Sequence, residues 1–218
     1  MENIITADSI SEEKWLRYAL VLAVITIFYN LIEGIVSIYF GTEDEALTLF
    51  GFGFDSFIET ISAIGIYVMI RRISLHGTDQ RGNFERTALK ITGWGFYILS
   101  AGLAAGAVLS ILSKHKPGTT VPGIIISLLS ISCMWLLIHY KRKTGRALSS
   151  DAILADANCN LVCLYMSVVL LASSFLYTLT GFGWFDALGA LGLVWFSFNE
   201  GREAFEKAKG KECGCHVS

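Results

Sequence analysis

The sequence predicts an all-α membrane protein with six transmembrane helices. Of its 218 residues, 53% are hydrophobic and only 17% are charged, and the mean hydropathy is +0.55. This composition is far from that of a water-soluble domain. The net charge of −2 and the lack of a basic stripe interleaved with aromatic residues indicate no binding to nucleic acid.

Six apolar runs define the predicted spans, each long enough as a helix to cross a hydrocarbon core of about 30 Å. The first run has no small-residue cleavage pattern after it, so we interpret it as a retained span and not as a signal peptide. The second closes on Arg71-Arg72, and the fourth stops before Lys141-Arg142-Lys143. Both prolines, Pro117 and Pro122, fall in the loop before the fourth run, which leaves every span without a proline kink. The runs cover residues 16–40, 46–70, 87–112, 123–140, 147–177 and 185–204.

Basic residues predict the orientation of these spans. If both termini lie on one side, that side collects all of the 17 Lys and Arg residues except Lys114 and Lys116. Basic residues accumulate on the cytoplasmic side of membrane proteins, so both termini are predicted to be cytoplasmic. The resulting division is a cytoplasmic tail over residues 1–15, a six-helix membrane domain over 16–207 and a second cytoplasmic tail over 208–218. We expect no soluble domain after the sixth helix.

Two pairs of metal-binding side chains fall inside the predicted spans. Asp55 and Glu59 lie four positions apart in the second span, as do Cys159 and Cys163 in the fifth. In a helix this spacing puts both members of a pair on one face, about 5–6 Å apart. All four lie about 14–24 Å from the start of their span, near the middle of the membrane. Ionisable groups there are costly and usually functional, so we predict one site built from both pairs.

These residues resemble the cation diffusion facilitator family, six-helix exporters of divalent metals, and within it the small forms similar to vesicular transmembrane zinc transporters. That family carries D-x-x-x-D on helix 2 and, after Ala-Asp, H-x-x-x-D on helix 5. Asp55 and Glu59 match the first pair. Ala155-Asp156 matches the Ala-Asp lead, so Cys159 and Cys163 replace the His and Asp. The resemblance implies metal export from the cytoplasm and a homodimer in the cell (inner) membrane. This chain departs from the pattern in its thiols, and we expect it to lack the cytoplasmic domain that many members carry.

The four side chains predict which cation would be carried. Two carboxylates and two thiolates suit four-coordinate Zn²⁺, and the sulfur ligands favour softer ions such as Cd²⁺ and Hg²⁺ over Mg²⁺, Ca²⁺ or Mn²⁺. No permanently bound cofactor is expected, only the transported ion. Four anions in the membrane interior would be prohibitive without the metal, so metal binding should release protons. This predicts a metal/proton antiporter surrounded by membrane lipid.

Several further residues are candidates with two readings each. An ion pair with a basic residue is an alternative role for Asp55 and Glu59, but the predicted topology places no Lys or Arg at their depth in the membrane. Asp156 could be a metal ligand, but we prefer the interpretation that it lies beside the ligands or lines the pathway.

Asp151 could line the cytoplasmic mouth or cap a helix, and Cys133 is interpreted as a small apolar residue. His76, His115 and His139 are read as solvated. Asn30, Glu33 and Asp186 either line the pathway or bond between helices, and Asn160, which shares a helix stripe with Asp156 and Cys163, is expected beside the ligands or on the pathway.

Other functions remain open at this point. The tail residues Cys213, Cys215 and His216 could capture soft metal ions or be incidental, and in the cytoplasm their thiols should stay reduced. A membrane thiol oxidoreductase using Cys159 and Cys163 is one alternative, although such cysteines usually form C-x-x-C near the membrane surface. A metal sensor or scaffold that binds metal without moving it is another. No nucleotide-binding or hydrolase motif is present, so the sequence does not predict an enzyme.

Overall fold

The computed structural model is a bundle of six α-helices. It describes residues 2–44, 46–76, 83–114, 116–118 and 120–210, and these ranges contain no strand. The predicted all-α class is therefore confirmed. The helices are α1 (Glu2–Glu43), α2 (Leu47–His76), α3 (Asn83–Ser113), α4 (Val121–Ala147), α5 (Asp151–Thr180) and α6 (Trp184–Ala208).

Most helices are longer than the apolar runs that predicted them. The largest difference is α1, which begins at Glu2, whereas its apolar run begins near residue 16. An apolar run marks only the part of a helix suited to hydrocarbon, and the backbone can continue its hydrogen bonds through polar residues beyond it. Helix boundaries therefore extend past most of the predicted spans. Two expectations were wrong: α5 begins at Asp151 and not at residue 147, and α4 begins at Val121, so Pro122 lies in its first turn and not in the loop.

Five of the six described helices, α1 to α5, contain a segment long and apolar enough to cross a membrane. The exception, α6, has its apolar stretch limited by Asp186 near one end and by Asn199 and Glu200 toward the other. Its first half nevertheless packs inside the bundle, where Ala187, Ala190 and Leu193 are fully buried. The chain is an integral membrane protein with multiple spans.

The helices form a closed ring in the order α1, α2, α3, α6, α5, α4. The most extensive contacts join α1 to α2, α3 to α6 and α4 to α5. Across the ring, α2 also contacts α5 and α6. This places α2 and α5 against each other, which the predicted two-pair site requires.

Apolar side chains are sorted between an inner core and an outer face. The core includes Phe52 on α2, Leu103 on α3 and Met166 on α5. The outer face exposes large apolar side chains such as Ile98 and Leu112. Exposure of many such side chains is unusual for a protein in water but fits contact with lipid.

Glycines allow two helix pairs to approach closely. A Cβ atom added to Gly53 of α2 would lie 3.0 Å from the carbonyl oxygen of Gly34 on α1. A Cβ atom at Gly93 of α3 would lie 3.2 Å from the carbonyl oxygen of Gly201 on α6. Small residues at helix contacts bring backbones together in membrane bundles, so these positions hold α2 and α6 tightly in the ring.

The start of α2 is held by a side chain from α6. The carboxylate of Asp186 accepts hydrogen bonds from the backbone N–H groups of Leu47 at 2.9 Å and Thr48 at 3.0 Å. The Thr48 hydroxyl in turn donates to the backbone carbonyl of Asp186 at 2.5 Å. A carboxylate is favourable at a helix N-terminus, where N–H groups lack partners within the helix. Of the two readings of Asp186, the structure therefore shows bonding between helices.

Candidate metal site

The α2 pair lies on the inner face of its helix, as its spacing predicts. Asp55 is 1% exposed, and its Oδ1 atom has no hydrogen-bond partner among the described residues. A buried carboxylate oxygen without a partner is costly and rare. The lone pairs of this oxygen are therefore available to a cation.

Glu59 joins three helices. Its Oε2 atom accepts a hydrogen bond from Asn30 Nδ2 of α1 at 3.1 Å. Its Oε1 atom accepts a hydrogen bond from the Cys163 thiol of α5. One carboxylate and one sulfur of the predicted ligand set are therefore in direct contact, and this contact bridges α2 and α5.

The other thiol, Cys159, has a different partner. The ammonium group of Lys207 on α6 donates a hydrogen bond to Cys159 Sγ at 3.1 Å. Lys207 also forms an ion pair with Glu203, 2.9 Å from Oε1, one turn earlier on α6. Cys159 thus faces α6, whereas Cys163 faces α2. Neither thiol is in a disulfide.

The four predicted ligands are consequently neighbours that do not converge on one point. Among the described residues, no three Asp, Glu, Cys or His side chains are placed to hold the same ion. Asp55 and Glu59 share a helix face, Glu59 contacts Cys163, and Cys159 is turned toward Lys207.

Glu59 and Cys159 face a common small cavity of about 30 Å³. A cavity of that size has room for about one or two water-sized groups. Its wall also includes Asp156 and Asn160 of α5 and Glu200 of α6. The cavity therefore lies where α2, α5 and α6 meet, with further wall residues from α1 and α3, and its lining includes oxygen, sulfur and amide groups.

Two lysines reach this polar interior, which corrects the expectation that no basic residue lies at the depth of the pairs. Lys141 is 1% exposed. Its ammonium group lies 2.7 Å from Asp156 Oδ2 and donates to Asn160 Oδ1 at 3.0 Å. Lys207 is 5% exposed and contacts Cys159. Both follow the apolar part of a helix, and their long side chains extend back into the bundle.

Asp156 and Asn160 both contact Lys141. Asp156 Oδ2 and Asn160 Oδ1 are engaged with its buried ammonium group in this arrangement. Asn160 also donates to the Met134 sulfur at 3.6 Å. Both residues fix α4 against α5 beside the cavity.

Sequence reasoning missed two residues of the cavity wall, Glu200 and Lys207. A signal was present in α6. Buried positions recur every three or four residues at Leu193, Ser197, Gly201 and Ala204, and this stripe continues to Lys207. A lysine on the buried stripe of a helix should have been predicted to point inward.

On α1, Glu33 lies beside the site without joining it. It accepts hydrogen bonds from Tyr29 at 2.8 Å and Ser56 at 3.1 Å. Asn30, by contrast, contacts the predicted ligand Glu59 directly. Both residues therefore bond between or along helices, and Asn30 also lines the cavity.

The remaining candidates are peripheral or undescribed. Cys133 is half-buried beside Met134 and Leu137, in agreement with its apolar reading. His139 is on the outer face, stacked against Trp135. The following lie outside the described residues: the side chains of Asp151 and His76, and all of His115, Cys213, Cys215 and His216.

Comparison with known proteins identifies a family for this chain. The model of the cation efflux transmembrane domain matches residues 19–209, which is most of the chain and covers α2 to α6 and the part of α1 from residue 19 onward. A search of curated proteins finds no match.

Proposed function

The chain belongs to the cation efflux family, and on this premise we propose that it exports Zn²⁺ or Cd²⁺, with Hg²⁺ as a further substrate, from the cytoplasm in exchange for protons. Members of this family are transporters and not enzymes. The metal would bind at the middle of the bundle between α2 and α5. Its ligands would be Asp55, Glu59, Cys159 and Cys163.

The observation that carries this proposal is the state of the α2 carboxylates. Asp55 and Glu59 are adjacent on one helix face, and in the described chain neither has a Lys or Arg within ion-pair distance. The Asp55 oxygen has no hydrogen bond, and Glu59 is in contact with a thiol. Two such acids in the membrane interior require either a bound cation or protons.

The geometry describes a site that is not yet closed around an ion. Cys163 is already in contact with Glu59, and Asp55 lies one turn away on the same face. To complete a four-ligand set, Cys159 would have to leave Lys207 and turn toward α2. Since Cys159 and Glu59 line the same cavity, the movement needed is local.

Exchange with protons follows from the same carboxylates. When no metal is bound, protons can neutralise the buried acids, and the Cys163 thiol already donates one hydrogen bond to Glu59. A divalent ion binds the deprotonated forms of these groups, so loading releases protons. We propose that this exchange, made on opposite sides of the membrane in turn, couples metal export to proton entry.

Sulfur should decide which metal is carried. Thiolates favour soft cations more strongly than oxygen ligands do. We therefore expect Cys159→Ser to reduce Cd²⁺ flux about tenfold or more while Zn²⁺ flux falls less, because Zn²⁺ also accepts oxygen ligands well.

The test is metal uptake into proteoliposomes that contain the purified protein and a trapped pH indicator. Wild type should accumulate Zn²⁺ or Cd²⁺ while the internal pH changes in step, and Cys159→Ser should lose Cd²⁺ flux preferentially. Cys133→Ser is the matched control, since Cys133 packs against apolar side chains. Flux insensitive to a pH gradient would reject proton exchange. Equal losses for both metals would reject selection by sulfur, and metal binding without flux would indicate a sensor.

A further inference from the structure

The ammonium group of Lys207 already contacts one of the predicted metal ligands, Cys159. The Lys207 ammonium lies 3.1 Å from Cys159 Sγ and is 5% exposed. It lines the cavity that Glu59 and Cys159 share. An ion that binds Cys159 from this side of the cavity would therefore compete with Lys207 for the sulfur.

Lys207 has a second partner available without any movement of the backbone. Glu203 lies one turn earlier on α6, and its Oε1 atom is 2.9 Å from the same ammonium group. A lysine side chain is a flexible stem with three donors, so it can keep one partner while it releases the other. If Cys159 is taken by a metal ion, Lys207 can remain neutralised by Glu203.

We propose that Lys207 is a tethered counter-cation of the transport site, an inference that rests on the proposed function. With no metal bound, its ammonium group holds Cys159. When the metal arrives, the ammonium group withdraws toward Glu203, because two cations at one sulfur repel each other strongly in a poorly hydrated interior. Its return to Cys159 then helps to expel the metal. A transport site must release its ion as well as bind it, and an internal competitor serves release.

The second buried lysine, Lys141, does not have the contacts that this role requires. Lys141 is as deeply buried, but it contacts Asp156 and Asn160 and none of the four predicted ligands. Metal binding at the four predicted ligands would leave the contacts of Lys141 in place. Lys209, two residues after Lys207, is exposed and serves as a control for charge at this end of α6.

The experiment is titration of the purified full chain with Zn²⁺ and with Cd²⁺ by calorimetry. Lys207→Met removes the competing cation, and we expect the Kd to fall about tenfold, the effect of losing one charged competitor. Glu203→Gln removes the alternative partner, so Lys207 stays on Cys159 and the Kd should rise several-fold. Lys209→Met should leave the Kd unchanged. In proteoliposomes, Lys207→Met should lower the maximal flux although binding is tighter.

The outcomes separate this inference from the proposed function. Tighter binding by Lys207→Met with weaker binding by Glu203→Gln supports it, and loss of packing alone would not produce opposite signs. A folded Lys207→Met protein with unchanged or weaker binding overturns it. Should that variant not fold, Lys207→Arg, which keeps the charge, must retain the wild-type Kd, and Glu203→Gln must still weaken binding. Wild-type protein that binds no metal refutes the proposed function and this inference together.

Discussion

Two contrasting kinds of acidic side chain lie in the bundle. On α2, Asp55 and Glu59 have no basic partner within ion-pair distance in the described chain. Between α4, α5 and α6, Asp156 is paired with Lys141 and Glu203 with Lys207. The first kind leaves negative charge uncompensated, and the second balances it within the protein. The comparison shows which acids are available to an external cation and which serve to hold helices together.

This difference also separates function from stability. A paired buried acid contributes to the fold as long as its partner remains, and loss of one partner leaves a buried charge alone. An unpaired buried acid costs stability and persists where function requires it. Mutations of the two kinds should therefore have opposite consequences, and the predictions below depend on that contrast.

The largest effect is expected at Asp55. Asp55→Asn keeps the shape of the side chain but removes its negative charge, so a divalent ion loses an anionic ligand. Transport should fall to background, a loss of about 100-fold or more, while the protein remains folded and is at least as stable as wild type. Metal flux in proteoliposomes and thermal unfolding in detergent measure the two effects. Normal flux would show that Asp55 is not a ligand, and marked destabilisation would show that its charge is satisfied in the fold.

The paired acid Asp156 should behave in the opposite way. Asp156→Asn leaves the ammonium group of Lys141 buried without its anion, and removal of one partner of a buried ion pair costs about 3–5 kcal/mol. We expect this loss in the free energy of unfolding, with any loss of transport following from the unstable fold. The double variant Lys141→Met with Asp156→Leu removes both charges and should recover most of the stability. If the double variant is no more stable than the single one, the pair is not the source of the effect.

The sequence was sufficient for features that depend on local pattern. Apolar runs located all six helices, and the four-residue spacing correctly put Asp55 with Glu59 on the inner face of α2. It was insufficient for contacts made by long, flexible side chains. Lys141 and Lys207 follow apolar stretches, and although the buried stripe of α6 points Lys207 inward, no local pattern identifies Asp156 and Cys159 as the partners of the two lysines. The orientation of Cys159 depends on such a contact, so spacing alone could not predict it.

A third arrangement, intermediate between the two, occurs at Asp186. Its carboxylate is buried and accepts hydrogen bonds from the backbone N–H groups of Leu47 and Thr48 at the start of α2. Asp186→Ala removes this cap, and loss of a helix cap costs about 0.5–2 kcal/mol. We expect that smaller drop in unfolding free energy, together with a moderate loss of transport, because α2 carries Asp55 and Glu59. Asp186→Asn retains an oxygen acceptor and should recover part of both.

The two variants Asp186→Ala and Asp186→Asn separate the contribution of the negative charge from that of the hydrogen bonds. If Asp186→Asn behaves like wild type, the carboxylate acts as an acceptor, and its charge adds little at the helix terminus. Transport lost completely in both variants, with stability unchanged, would instead place Asp186 on the path of the ion. That result would add Asp186 to Asp55 and Glu59 as an acid on the path of the ion, and the division between transporting and structural acids would have to include the start of α6.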